Sequence, residues 1–96
     1  MSRMRIVGGM WRGRTIASPP GARTRPTTDR TRESLASMVL SSFGLDLSEV
    51  WVLDAFAGSG ALGLEFLSRG AKGCTFVERN RRAAQLVRDN CRTLGA

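Results

Sequence analysis

The stretch Trp51-Val-Leu-Asp-Ala-Phe-Ala-Gly-Ser-Gly-Ala-Leu-Gly63 decides the fold. An apolar run with the make-up of a buried parallel strand ends in a carboxylate, Asp54, and is followed by a G-x-G-x-x-G turn from Gly58 to Gly63. A second apolar run, Cys74-Thr-Phe-Val77, ends in Glu78. Strand, glycine turn, helix, and then a second strand closed by an acid is the order of a nucleotide-cofactor site at the carboxyl ends of two parallel strands.

Asp54 bears on which cofactor. A dinucleotide sets its pyrophosphate on the helix N-terminus behind such a turn, and Asp54 would put a negative charge beside it. Like charges about 4 Å apart cost roughly 1 kcal/mol in water and about 4 kcal/mol near a protein surface. S-adenosylmethionine has no phosphate and carries an ammonium and a sulfonium, which Asp54 would attract. Glycines at 58, 60 and 63 would let the backbone approach the ligand closely, and Glu78 would accept hydrogen bonds from ribose hydroxyls. Each feature also has a plainer reading. The glycines fit a tight turn and close helix–sheet packing, Asp54 fits a cap for the following helix, and Glu78 fits a solvated strand end or the cap of the last helix. All three together, each at the right end of an element, favour the cofactor.

The chain is 96 residues long, one domain at most, with a net charge of +7. Residues 1–32 hold eight arginines against a single acid, Asp29, while the remainder is balanced, so all the excess lies in the first third. Arginine's planar fork suits phosphates and base edges, and such a concentration is an electrostatic footprint for nucleic acid; a solvated basic arm is the plainer alternative. Arg3, Arg5, Arg12, Arg14, Arg23 and Arg25 are the candidate RNA contacts. Trp11 among them either stacks on a base or anchors a small hairpin, the anchor being slightly preferred. There is no histidine and there are only two cysteines, so a zinc site is not expected, and Cys74 and Cys91 read as buried thiols in a reducing compartment. The basic N-terminus lacks the apolar core of a signal peptide. No apolar run approaches the roughly 20 residues that span a bilayer. A cytoplasmic protein is expected.

Along the chain, residues 4–8 and 10–17 read as two strands with Gly8-Gly9 as the turn. Residues 18–27, with Pro19, Pro20 and Pro26, read as a linker. A helix is expected from Thr28 to Gly44, with Leu35, Met38, Val39 and Phe43 on its apolar face. Arg30 and Arg32 in its first turn oppose the helix dipole and point to an anionic partner. Strand 51–55, helix 60–69 capped at Gly70, strand 73–78 and helix 80–94 follow, the last with Ala83, Val87, Cys91 and Leu94 on one face. The expected domains are therefore a basic hairpin extension and linker, 1–27, and half of a doubly wound α/β sheet, 28–96. Two parallel strands need cover on both faces and neighbours at their edges. The architecture reads as incomplete: a fragment, a truncation, or a sheet finished by a partner chain.

The segments Arg5-Ile-Val-Gly-Gly-Met-Trp-Arg-Gly-Arg14, Arg25-Pro-Thr-Thr-Asp-Arg-Thr-Arg-Glu-Ser-Leu35, Asp54-Ala-Phe-Ala-Gly-Ser-Gly-Ala-Leu-Gly-Leu-Glu65, Leu67-Ser-Arg-Gly-Ala71 and Val77-Glu78 together resemble the RsmD family of bacterial 16S ribosomal RNA guanine-N2 methyltransferases. The glycine motif is shared by many methyltransferases; the Arg25–Leu35 segment joined to the hairpin is much more specific. The resemblance implies a Rossmann-like methyltransferase domain with an N-terminal hairpin, S-adenosylmethionine as cofactor, and 16S rRNA or 30S particles as partner. It implies that Asp54, Phe56, Gly58, Ser59 and Gly60 line the methionine end of the cofactor and that Glu78, with Arg79 beside it, holds the ribose. Thr28 and Arg30 belong to a segment similar to one that approaches the methionine carboxylate in related amino-methyltransferases.

One departure bears on activity. Such enzymes hold the target amine with an Asp/Asn-Pro-Pro-Phe/Tyr motif, and the only prolines here are 19, 20 and 26, so no catalytic residue is assigned. The expectation is an S-adenosylmethionine-dependent enzyme as the parent protein, with this chain its cofactor half. The rivals are a DNA amino-methyltransferase, a non-catalytic nucleic-acid-binding fragment and, more distantly, a dinucleotide enzyme.

Overall fold

A computed structural model describes residues 2–18, 29–55 and 57–96. The expected linker therefore lies outside the described residues, except for Ser18. In order, the elements are β1 (Ser2–Arg5), β2 (Thr15–Ser18), α1 (Asp29–Ser42), β3 (Trp51–Ala55), α2 (Ala61–Ser68), β4 (Gly73–Val77) and α3 (Arg81–Leu94). β1 and β2 are antiparallel, Arg5 opposite Thr15. β3 and β4 are parallel, with Trp51 opposite Gly73 and Ala55 opposite Val77. The expected βαβα order of an α/β sheet is present.

α2 is the hub. One flank packs with Ile6 and Ile16 of the hairpin and Leu94 of α3 through Ala61 and Leu64. The other packs with Ala36 of α1 and Leu47 through Phe66. A helix enclosed in this way should be apolar all round, yet Glu65 in its middle is fully buried. Its carboxylate accepts from the backbone N–H of Val7 at 3.0 Å and of Gly8 at 2.9 Å, and from Arg69 Nε at 3.1 Å. Arg32 of α1, 1% exposed, brings its Nε to 3.6 Å from the same carboxylate, while its Nη2 donates to Asp29 and to the Arg5 carbonyl. The buried acid is thus matched by two guanidinium groups and two amides, which offset its desolvation.

Two sequence expectations are corrected here. The hairpin strands are shorter than 4–8 and 10–17, because the segment between them docks on α2. Ser68 Oγ donates to the Gly8 carbonyl at 2.6 Å and accepts from the Trp11 N–H at 3.0 Å, and the Ser68 carbonyl accepts from the Met10 N–H at 2.8 Å. Backbone groups that a long ladder would use are taken up by the helix. Gly9 makes this approach possible: it has φ +81°, and a Cβ there would meet the Ser68 carbonyl oxygen at 2.0 Å. The second correction concerns α1. Leu35, Met38 and Phe43 are exposed, and the inward face is Arg32 and Ala36 with Val39 and Leu40 half-buried. Arg32 faces inward to Glu65 and the Arg5 carbonyl, and Ala36 on the same face packs with Leu47 and Phe66.

α2 and α3 lie on one side of the parallel sheet. On the other, the large apolar residues Trp51, Leu53 and Val77 are half exposed or more, and the Trp51 indole donates across to Thr75 Oγ1 at 2.8 Å. One sheet face is covered and one is open.

Glu65→Ala takes from the buried Arg32 its buried counter-charge, leaving the exposed Asp29, and takes from Arg69 its carboxylate partner, a change that typically costs about 3–5 kcal/mol. We expect urea unfolding to show a loss of that order. A loss below about 1 kcal/mol would mean that the clasp is not what holds the hairpin and α1 to α2.

Candidate cofactor and nucleic-acid site

The glycine turn lies between the carboxyl ends of β3 and β4. The Ala57 N–H donates to the Val77 carbonyl at 2.9 Å, extending the parallel ladder into the turn, and the Gly60 N–H closes on the Ala57 carbonyl at 2.8 Å. Gly58 and Gly60 have φ of 58° and 83°, the left-handed region that glycine adopts without strain. Gly63 serves packing: an added Cβ would meet Phe76 Cε1 at 2.5 Å and Cys74 Sγ at 2.7 Å. Both roles foreseen for the glycines, turn and close packing, are realised.

The two acids hold the turn. Asp54, nearly buried at the end of β3, accepts from the Gly63 N–H at 3.0 Å. Gly60, the N-cap of α2, has no side chain with which to cap it, so Asp54 supplies from the sheet an acceptor for an orphan amide of the first turn. Glu78 accepts from the Gly58 N–H at 2.7 Å through one oxygen and from the Asn80 N–H at 2.8 Å through the other. The cap of α3 is Asn80, whose Oδ1 accepts from the N–H groups of Arg82 and Ala83 at 2.9 and 3.1 Å. Burial raises the Asp54 carboxyl above the ordinary aspartate value; the Gly63 bond opposes this, and the negative charge of Glu78 adds to it. The amides of Asn80 and Gly58 hold Glu78 below its ordinary value. Cys74, beside Asp54, is pushed up to about 11, first by burial and then by that carboxylate, so it stays a thiol at neutral pH. From Glu78 an open cleft of about 640 Å³ runs between β4 and α3, past Phe76, Val87, Arg88 and Cys91.

Asp54, Gly58, Gly60 and Glu78 are therefore gathered at one mouth. Ser59 is buried, its hydroxyl donating to Met4 Sδ at 3.8 Å. Arg79 follows Glu78 and is exposed, as is Arg30 on α1. Arg3, Arg5, Arg12 and Arg14 are exposed on the hairpin, with Arg14 Nη2 donating to the Thr93 carbonyl at 2.7 Å. Trp11 is half-buried against the cluster of Ile6, Ile16 and Leu64, an anchor's position. Of the anionic partners sought for the first-turn arginines, Arg32 has protein carboxylates. Thr28, Phe56, Arg23 and Arg25 lie outside the described residues. Sequence reasoning missed Glu65, Ser68 and Asn90. A charge within the apolar run Ala61–Leu67, and an amide on the stripe of Val87 and Leu94, were the available signals. Among the described residues, no cluster of acids and cysteines could hold a metal, and no helix is long and apolar enough to cross a membrane.

A hairpin and helix leading into β-α-β-α, with a glycine turn and two strand-end acids, is the first half of a Rossmann-like methyltransferase sheet. The chain belongs to the family described as Conserved hypothetical protein 95, whose model matches residues 4–96. It is similar to Ribosomal RNA small subunit methyltransferase D of Escherichia coli, 46% identical over 93 residues, covering 97% of this chain and 45% of that one. The same-named protein of Haemophilus influenzae is 40% identical over 91 residues, covering 95% and 45%. Among solved structures, yhhF of Escherichia coli, assigned as a methyltransferase, superposes with a TM-score of 0.81 at 42% identity, covering 99% of this chain and 48% of that one. A hypothetical protein of Thermus thermophilus gives 0.80 at 36% identity, covering 96% and 50%. The chain spans about half the length of the relatives it matches.

The two acids titrate with opposite consequences. Glu78, lowered by the fold, stabilises above the ordinary glutamate value and loses that contribution as pH falls through its depressed value. Asp54, raised by the fold, contributes stability below the ordinary aspartate value and loses it as pH rises through the raised one. Glu78→Gln removes a neighbouring negative charge, so carboxyl-carbon NMR should show the Asp54 midpoint moving down and the acid-side loss of stability shrinking. An unmoved Asp54 midpoint would show that the two acids do not share a field.

Proposed function

We propose that this chain is the cofactor half of a 16S rRNA guanine-N2 methyltransferase that uses S-adenosylmethionine. The observation that carries the reading is that Gly58 and Gly63, two amides a pyrophosphate could use, already donate to Glu78 and Asp54. A polyanion would have to displace carboxylates to reach them. A ligand with a cationic end meets two negative charges held in place, and the strain-free glycine backbone leaves room beside them. When bound, S-adenosylmethionine supplies a methyl group on a sulfonium. Asp54 would face its cationic end, and Glu78 retains lone pairs that would accept from the ribose hydroxyls. In this reading Phe56, Gly58, Ser59 and Gly60 would line the methionine end, Thr28 and Arg30 would receive its carboxylate, and Arg79 would flank the ribose beside Glu78.

Residues 28–96 form this half, and residues 1–27 form the RNA-binding extension, with Arg3, Arg5, Arg12, Arg14, Arg23 and Arg25 on phosphates and Trp11 beside them. Methyl transfer to the exocyclic amine needs an amine-holding group supplied from outside these residues, and positioning of the extruded base would provide most of the rate. The substrate, ribosomal RNA or 30S particles, places the work in the cytoplasm.

Calorimetry on Asp54→Asn should show S-adenosylmethionine binding weakened by about tenfold or more, the scale of one charge-assisted hydrogen bond. Unchanged affinity, or NADH binding in its place, would overturn the assignment of cofactor.

Arg12→Glu with Arg14→Glu should weaken 16S rRNA binding and reduce the slope of log affinity against log salt by about one to two, at about 0.7–0.9 per phosphate contact, with cofactor affinity unchanged. Equal loss of both affinities would contradict the division of labour. Tighter binding to duplex DNA than to the RNA would favour a DNA amino-methyltransferase.

A further inference from the structure

We infer that Asn90 is a positioning residue that couples the hairpin to the glycine turn, so that RNA and cofactor tighten each other's binding. The inference rests on the functional reading above.

Asn90 lies on α3 and is 2% exposed. Its Oδ1 accepts from the Ala17 N–H at 2.9 Å, and its Nδ2 donates to the Ala17 carbonyl at 2.8 Å. The side-chain amide thus pairs with β2 as a neighbouring strand would, on the edge turned away from β1. The second Nδ2 hydrogen donates to the Ser59 carbonyl at 2.9 Å inside the glycine turn. Both amide hydrogens are in use, so no other side chain of this size can make the set: aspartate has no donor, and leucine has neither donor nor acceptor. Ser59 is held a second time from the hairpin, through its hydroxyl on Met4 Sδ. Its peptide lies between Gly58, whose N–H is on Glu78, and Gly60, whose backbone is packed so that an added Cβ would touch Val87 at 3.3 Å.

A path of direct bonds therefore runs from β2 through one side chain to the turn between the two acids. The exposed arginines of the hairpin lie on the RNA end of that path and Glu78 on the cofactor end. RNA that fixes the hairpin fixes Ser59, and a cofactor that fixes the turn holds Ala17. Linkage requires the two effects to be equal.

The test uses the 96-residue chain, S-adenosylhomocysteine and 16S rRNA. Each affinity is measured by calorimetry alone and with the other ligand saturating. We expect each to improve by about fivefold or more, by the same factor in both directions. In Asn90→Asp, checked for folding by circular dichroism, the factor should fall to about one while each separate affinity stays within about threefold. A factor of one in the wild type, with both ligands bound, overturns the coupling and leaves the functional reading standing. A factor that persists in folded Asn90→Asp overturns the role of Asn90. A wild type that binds neither ligand overturns the functional reading and this inference with it. Should Asn90→Asp fail to fold, hydrogen exchange at the wild-type Ala17 amide decides: slowing by S-adenosylhomocysteine supports the path, and no change refutes it.

Discussion

The structure depends on one sealed carboxylate. Glu65 is fully buried on α2 and is answered from three directions: amides of the hairpin loop, a guanidinium from α1, and a guanidinium from its own helix. Coulombic attraction alone does not justify a charge in such a place, since desolvation of an ion pair consumes most of the gain. What the arrangement supplies is uniqueness. An apolar residue at 65 would leave the amides of Val7 and Gly8 without their acceptor, whereas the carboxylate ties the hairpin loop and Arg32 of α1 to one point on α2. Ser68, three residues on along the same helix, repeats the device with neutral groups, taking up three backbone atoms of the loop through its hydroxyl and carbonyl.

That constraint explains what sequence reading caught and what it lost. The parallel strands, the glycine turn and the last two helices follow from local pattern: apolar runs of strand length, glycines where φ is positive, an amphipathic stripe over Ala83, Val87, Cys91 and Leu94. Nothing long-range was needed to place Asp54 and Glu78 at the strand ends. The hairpin and α1 failed because their geometry answers to distant partners. Alternation over 4–8 and 10–17 predicted long strands, but the loop's backbone N–H and C=O groups bond to side chains 57 to 60 positions away in the chain. Periodicity over α1 counted apolar residues and gave Leu35 and Met38, while the helix turns inward on an arginine. A pattern that scores charge as outward cannot find a face set by a buried ion pair.

The same logic separates the plain and functional readings of the turn. Asp54 does cap α2, and the glycines do permit tight packing. These roles do not compete with ligand binding; they prepare it. An acid that was free to swing would lose conformational entropy on meeting a cation, whereas one already fixed by an amide has lost it on folding. Both acids are so fixed, one by the first turn of α2 and the other by the turn and the approach to α3, and they are near enough for the charge of one to raise the other.

The open sheet face belongs to this account. Trp51, Leu53 and Val77 stand out on the side away from α2 and α3, and a parallel sheet of this kind is ordinarily covered on both faces. The relatives are about twice as long. Yet the mouth formed by Asp54, the glycine turn and Glu78 draws its described hydrogen bonds from β3, β4, the turn itself, the two helices and the hairpin's Met4, none from the uncovered side. The cofactor end is therefore bonded wholly from the covered side of the sheet. Covering the open face would add apolar burial, a term that raises global stability without directing any of the groups at the mouth. Local geometry of the site and completeness of the core are separable here, and that separation is why a half-covered sheet can still present an ordered pair of acids.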